Sequence, residues 1–282
     1  MSVSIRPLKD ADLESAAEVL ASAFQRSGHW KNELRLYQGI QPEGYFGAFE
    51  DGTLTGMVGS TVYSTFAYIG MMGVHRQFQR RGIGLDLMRH LLQWLDAKNL
   101  PQVQLDASEA GRPMYEKLGF VAQERVFVLQ HQAGQPFPGL SRHVESIRSS
   151  NLTELAEVDS RIFGADRRKV FAALLRVYPE RAFFLRDPQG RVTGYIFMQE
   201  RRIGPWVMLG EGDDETLLQA VLSFDPGGMT SVVVPETNQR ALEILKRYGF
   251  EIARTNRHMV RGSTAAIGQR DKVYAQTSLS VG

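Results

Sequence analysis

The chain has 282 residues and no cysteine, and its 33 basic and 31 acidic side chains leave a net charge of +2. The length suits about two domains. The absence of cysteine excludes disulfides, thiolate metal ligands and a cysteine nucleophile, and the near-neutral balance gives no reason to expect a nucleic-acid or membrane partner.

In chain order, a short strand is expected to begin at Ile5. The charged, amphipathic N-terminal stretch lacks the apolar core of a secretory signal. No run of about 18 apolar residues suggests a membrane span, so a cytoplasmic protein is expected. Residues 10–24 place Leu13, Ala16, Ala17, Leu20 and Phe24 at helical spacing after a cap candidate, Asp10. Asp51-Gly52 predicts a hairpin turn feeding an alternating strand that runs to Tyr63. Residues 66–74 read as a strand. Residues 82–97 read as an amphipathic helix with a buried stripe of Ile83, Leu87, Met88, Leu91, Leu92 and Leu95.

After the Gly- and Pro-rich stretch 131–143, the natural linker, the pattern returns. Ala156-Glu157-Val158 and Phe163 echo Ala17-Glu18-Val19 and Phe24, residues 187–199 echo the hairpin of 50–63, and Gly249-Phe250 echoes Gly119-Phe120. Three correspondences in the same order mean two copies of one mixed α/β unit with helical crossovers. They occupy residues 1–130 and 144–282.

The stretch RQFQRRGIGLDLM (76–88) joins the end of a predicted strand to the first turn of a predicted helix. Amide N–H groups lack partners at such a turn, and the helix dipole favours an anion there. Gly82 and Gly84 let a phosphate approach those amides, and Arg80 and Arg81 supply charge-assisted hydrogen bonds. The loop is not a nucleoside-triphosphate loop, which needs Gly-Lys-Ser/Thr, nor a dinucleotide loop, because Leu87 stands where the third glycine belongs.

The spacing of Val74, Gln79, Gly82 and Gly84 resembles the coenzyme A pyrophosphate loop of the GNAT N-acetyltransferase superfamily. The segment LDASEAGRPMYEKLGF (105–120) resembles the second signature of that family, with Ser108 in place of the usual Asn and Gly111 in place of the usual Ala. The resemblance covers residues 1–130. It implies tandem α/β (α+β) GNAT folds, each a mixed, mostly antiparallel sheet flanked by helices, with acetyl-CoA as co-substrate. It further implies that Met72, Gly73 and Val74 hold the pantetheine arm through their backbone. Gln79, Arg80, Arg81, Gly82, Ile83 and Gly84 would then cradle the pyrophosphate, Ser108 contact the arm, and Tyr115 protonate the departing thiolate. Packing at a helix start is the alternative role for Tyr115.

Many family members place a Glu on the strand before the loop, whereas residues 68–72 here contain no carboxylate. Asp106, Glu43 and His29 are the nearest candidates for a base, and none is singled out. In the second copy, Glu211, Asp213, Asp214 and Glu215 replace the phosphate loop and would repel a pyrophosphate. There Asn238 and Ala241 are kept but Leu245 replaces the tyrosine, so this half resembles a degenerate GNAT-like domain. It is expected to bind no cofactor and to wall the acceptor pocket or stabilise the fold, with Trp206, His258 and Tyr274 as candidates to face that pocket. No two of the six histidines stand at i, i+4, so no metal site is expected. The expected activity is acetyl transfer to a primary amine of a small molecule. A coenzyme A-binding sensor without turnover and a protein-lysine acetyltransferase are the alternatives.

Overall fold

The computed structural model describes residues 3–25, 30–131, 144–210, 213–224 and 228–282. The first half runs β1 (Val3–Pro7), α1 (Leu13–Phe24), α2 (Trp30–Gln38), β2 (Tyr45–Glu50), β3 (Thr53–Val62), β4 (Ala67–Val74), α3 (Ile83–Asp96), β5 (Gln102–Ala107), α4 (Arg112–Lys117) and β6 (Val121–His131). The second runs β7 (Glu145–Ser146), α5 (Leu152–Phe163), α6 (Arg168–Val177), β8 (Ala182–Arg186), β9 (Val192–Met198), β10 (Arg202–Met208), α7 (Asp214–Leu222), β11 (Thr230–Pro235), α8 (Gln239–Arg247), β12 (Glu251–Gly262) and β13 (Val273–Ala275). Apart from β13 the two orders are the same, as the internal echoes predict. The linker assigned to 131–143 lies, beyond His131, outside the described residues.

Local chemistry explains the main elements. Asp51 and Gly52 both have positive φ, 48° and 81°, the two-residue turn whose twist matches flanking antiparallel strands. All six residues of the predicted α3 stripe are buried. Asp10, expected to cap α1, instead opens a 3₁₀ turn. Asp12 does the anchoring, its carboxylate accepting from the Lys9 amide at 2.8 Å and from the Arg6 guanidinium at 2.7 Å. Among the described residues no helix is long and apolar enough to cross a membrane.

The strands form one sheet in the order β1-β2-β3-β4-β5-β12-β6-β11-β10-β9-β8-β7, with β13 added beside β10. Pairing is antiparallel except for β4–β5 and β10–β11. The order is not that of two sheets laid end to end. Strand β12, from the second half, enters between β5 and β6, while β6, from the first, lies between β12 and β11. Each half therefore completes the sheet of the other, and residues of β12 become part of whatever site forms at the end of β5.

Alternation along the strands sends side chains to two faces. On one face α1, α2, α5 and α6 share a single core, including Leu20, Tyr37, Leu155 and Phe171. On the other, α3 packs over Phe46, Val58 and Leu105, and α7 and α8 pack over Trp206 and Val232. The shared core is completed by a buried ion pair. Arg167 grips Asp159 with two hydrogen bonds of 2.8 Å and reaches Thr277 Oγ1 at 2.9 Å, fixing the segment that follows β13.

Candidate active site

The site begins where two parallel strands part. Pairing of β4 with β5 ends at Ile69↔Leu105. On its other side β4 bulges: the ladder to β3 passes from Gly70 to Gly73, and Met71 in between has φ 50°. A non-glycine residue in the left-handed region costs on the order of 1–3 kcal/mol, and such strain gathers at functional sites. Here it turns the backbone of Met71 and Met72 out of regular pairing, at the edge of the gap between β4 and β5. Gly70 is also constrained, because a Cβ there would lie 2.2 Å from Ser280 Cα. Residues 279 and 280 thereby press against the mouth of the gap.

The loop after β4 joins the strand to α3 through a glycine cap. Gly82 is the N-cap of α3 with φ 83°, which glycine adopts without strain, and a Cβ there would meet nothing nearer than 4.0 Å. Arg80 also has positive φ, 63°. Among the described residues no acceptor is recorded for the amides of Ile83, Gly84 and Leu85, the donors that the first turn of a helix leaves without an intrahelical partner. Two loop side chains are already committed. Gln79 Nε2 donates to the Val74 carbonyl at 2.9 Å and pins the loop, and Arg81 pairs with Glu50 while staying half exposed. Gly84 owes its size partly to packing, since a Cβ there would sit 3.0 Å from Met72 Cε.

A cavity of about 500 Å³ opens from the gap, and Met72, Ser108 and Tyr115 line it. It stops short of Gly73, Val74 and residues 79–84. Ser108 Oγ accepts from the Gly111 amide at 3.2 Å. Tyr115 is 8% exposed, and burial holds its phenol well above the usual pKa.

Of the candidate bases, Asp106 is sequestered. Its carboxylate is fully buried and accepts from Tyr68 at 2.6 Å, from Gln276 at 2.9 Å and, at the other oxygen, from His258 Nδ1 at 3.0 Å. Burial alone would raise its pKa, but the His258 hydrogen bond and charge, with Arg270 and Tyr68, hold it below the usual value. Every lone pair so engaged is lost to proton abstraction. Glu43 is bonded by Gln41 and lies off the cavity, and His29 lies outside the described residues. The carboxylates that do line the cavity besides Asp106 are Glu33, paired with Arg202 at 2.7 Å, and Glu200.

The second half contributes more than the sequence reveals. Tyr178, Gln199–Arg202 and Asn256 line the cavity, whereas Trp206, His258 and Tyr274 do not. Trp206 is fully buried against Tyr274, with ring centroids 4.8 Å apart, and His258 serves Asp106. No local pattern marks Tyr178, Glu200 or Asn256, because it is the strand exchange and the shared helical core that carry them to the first half.

The equivalent gap in the second half is closed. Pairing of β10 with β11 ends at Ile203↔Val232, and β13 then fills the space beside β10, opposite Trp206 and Val207. At the start of α7 an acidic cap occupies the first turn. Asp213 accepts from the Thr216 amide at 3.2 Å, Asp214 pairs with Arg240, and Glu215 pairs with Arg247. Carboxylates take the place of an anion. Glu211 lies outside the described residues. Also among the described residues, no group of three metal-binding side chains is placed to hold an ion.

Comparison with known proteins agrees with this geometry. The profile of the Acetyltransferase (GNAT) family matches residues 12–120, and that of an Acetyltransferase (GNAT) domain matches residues 155–275. The uncharacterized N-acetyltransferase YitH of Bacillus subtilis is 25% identical over 168 residues, which is 58% of this chain and 57% of YitH. The likeness thus reaches little more than half of that relative. Among solved structures, a proposed acetyltransferase from Pyrococcus horikoshii superposes with a TM-score of 0.88 at 25% identity, covering 99% of this chain and 96% of that one. A GCN5-related N-acetyltransferase from Sphaerobacter thermophilus shares the fold, with a TM-score of 0.69 at 16% identity over 97% and 98% of the two chains. With one GNAT match in each half, over a mostly antiparallel sheet flanked by helices, the chain belongs to the GNAT acetyltransferase family as a two-domain member.

Proposed function

We propose that the chain transfers an acetyl group from acetyl-CoA to a primary amine of a small molecule. The observation that carries this reading is the cavity itself. It runs from Tyr115 and the bulge of β4 to a far wall supplied by α2 and the second half, where Glu33 and Glu200 stand with Trp30 and Tyr178. The aromatic faces favour an ammonium group, and the two carboxylates stand among Arg201, Arg202 and Arg254 on the same lining, with Glu33 already paired to Arg202. A cavity walled by both halves suits a small acceptor better than a protein surface.

The residues present fit acetyl-CoA. The free amides at the start of α3 and the glycine at its cap suit a pyrophosphate. Acetyl-CoA supplies an activated acyl group as a thioester. What the chain supplies is position and protons. An alkylamine has a pKa near 10.4, so deprotonating it at pH 7 costs on the order of 5 kcal/mol. A partly desolvated cavity reduces that cost by disfavouring the charged form. Tyr115, which lines the cavity, carries the phenol that would protonate a departing thiolate, although burial makes that phenol a weaker acid than usual.

The test is a panel of small amines incubated with acetyl-CoA while free thiol release is followed, with each acetylated product identified by mass. Amine-dependent thiol release supports the reading. Coenzyme A binding without release for any amine would favour a sensor. Release only with lysine-bearing polypeptides would move the acceptor to proteins.

A further inference from the structure

The notable residue in the cavity wall is Asn256, on β12. It is 3% exposed, and its Nδ2 donates to the Asp106 carbonyl at 3.4 Å. That bond fixes the orientation of the amide, because a carbonyl needs a donor. The other end, Oδ1, then faces away and is buried without a hydrogen-bond partner. A buried acceptor without a partner costs roughly 1–3 kcal/mol, and native structures keep few of them.

Its place in the sheet says what the oxygen is for. The β5–β12 ladder pairs His258 with Asp106 and Arg257 with Ala107, so the next step puts Asn256 across from Ser108. Ser108 follows β5 on the border of the gap, and its hydroxyl already accepts from the Gly111 amide. Asn256 and Ser108 line the same cavity as Met71 and Met72, which form the other border. A ligand entering between β4 and β5 thus passes, beyond Ser108, a buried unpartnered acceptor oxygen that comes from the second half.

We propose that Asn256 Oδ1 accepts a hydrogen bond from an amide N–H of the pantetheine arm of coenzyme A, making the second half part of the cofactor site. This rests on the acetyl-CoA reading above. Pantetheine carries two secondary amides and so has the donors required. The second half, closed to a cofactor of its own, lends a residue to the cofactor of the first through the exchanged strand.

The experiment compares coenzyme A with 3′-phospho-ADP, which lacks the arm, by calorimetry on the full chain. Asn256→Leu removes the acceptor at similar volume, and Asn256→Asp keeps an acceptor oxygen as a rescue variant. The expected result is about 10-fold weaker coenzyme A binding for Asn256→Leu. Asn256→Asp should lie closer to wild type, and all three proteins should bind 3′-phospho-ADP equally. Equal loss for both ligands would reduce Asn256 to a structural residue and overturn the proposal. So would unchanged coenzyme A affinity, or an effect confined to the KM of the amine. Wild-type protein that fails to bind coenzyme A would instead sink the acetyl-CoA reading, and this assignment with it.

Discussion

Asp106, from the first half, and His258, from the second, face each other across the β5–β12 ladder with 3.0 Å between carboxylate oxygen and Nδ1. The pair joins the halves at the floor of the site and makes stability depend on pH. Burial, aided by Arg270, lowers the pKa of His258, and the bonds to Asp106 lower that of the carboxyl. Each group therefore holds fewer protons folded than unfolded, so acid favours the unfolded chain. Their contribution is complete above the ordinary histidine value. It is lost as pH falls, first below about 6.5 through His258 and then below about 4 through Asp106. The urea midpoint should be lower at pH 5.5 than at 7.5, and His258→Gln, which does not titrate, should narrow the difference. A midpoint equal or higher at pH 5.5 contradicts this.

At the loop, Gly82→Asp adds a side chain at φ 83° and a negative charge where the free amides point. The strain costs about 1 kcal/mol of stability, and the charge opposes a pyrophosphate. Coenzyme A binding by calorimetry should disappear while circular dichroism stays that of the wild type. Wild-type affinity would remove the loop from the cofactor site.

Tyr115→Phe keeps the ring that packs near Phe120, with centroids 6.0 Å apart, and removes only the hydroxyl. Coenzyme A affinity should survive while turnover falls roughly 10²–10⁴-fold, the scale of one general acid. Turnover at the wild-type rate would assign the proton to another group or to water.

The chain should bind one equivalent of coenzyme A. The first gap is open and lined by the cavity, whereas β13 occupies the second and carboxylates hold the start of α7. Titration calorimetry reads the stoichiometry directly, and two equivalents would show that the second gap opens.

The α3 stripe, the Asp51-Gly52 turn and the repeat were legible in the sequence because each depends on residues close together in the chain. Helix α2 escaped notice because WKNELRLYQ is short and largely polar, and Leu34 and Tyr37 find their apolar partners only in the core shared with α6. Asp10 reads as the cap of α1 from the sequence because nothing local shows that Arg6 binds Asp12 instead. The cavity wall was out of reach for a different reason. The echoes show that β6 and β12 are equivalent strands, but nothing local says that each completes the sheet of the other half. Asn256 looked like one polar residue on a strand, and only its ladder partner and its unpaired oxygen distinguish it.

The exchanged strand also sets a schedule for synthesis. His258 is made 152 residues after Asp106, so β5 must wait for its neighbour. At 5–20 residues per second the delay is roughly 8–30 s. Throughout it, β5 and β6 present unpaired edges of the kind that recruit other strands. A ribosome-bound first half is thus a vulnerable species rather than a finished enzyme, and cutting the gene between the halves should yield two insoluble products that become soluble only when made together.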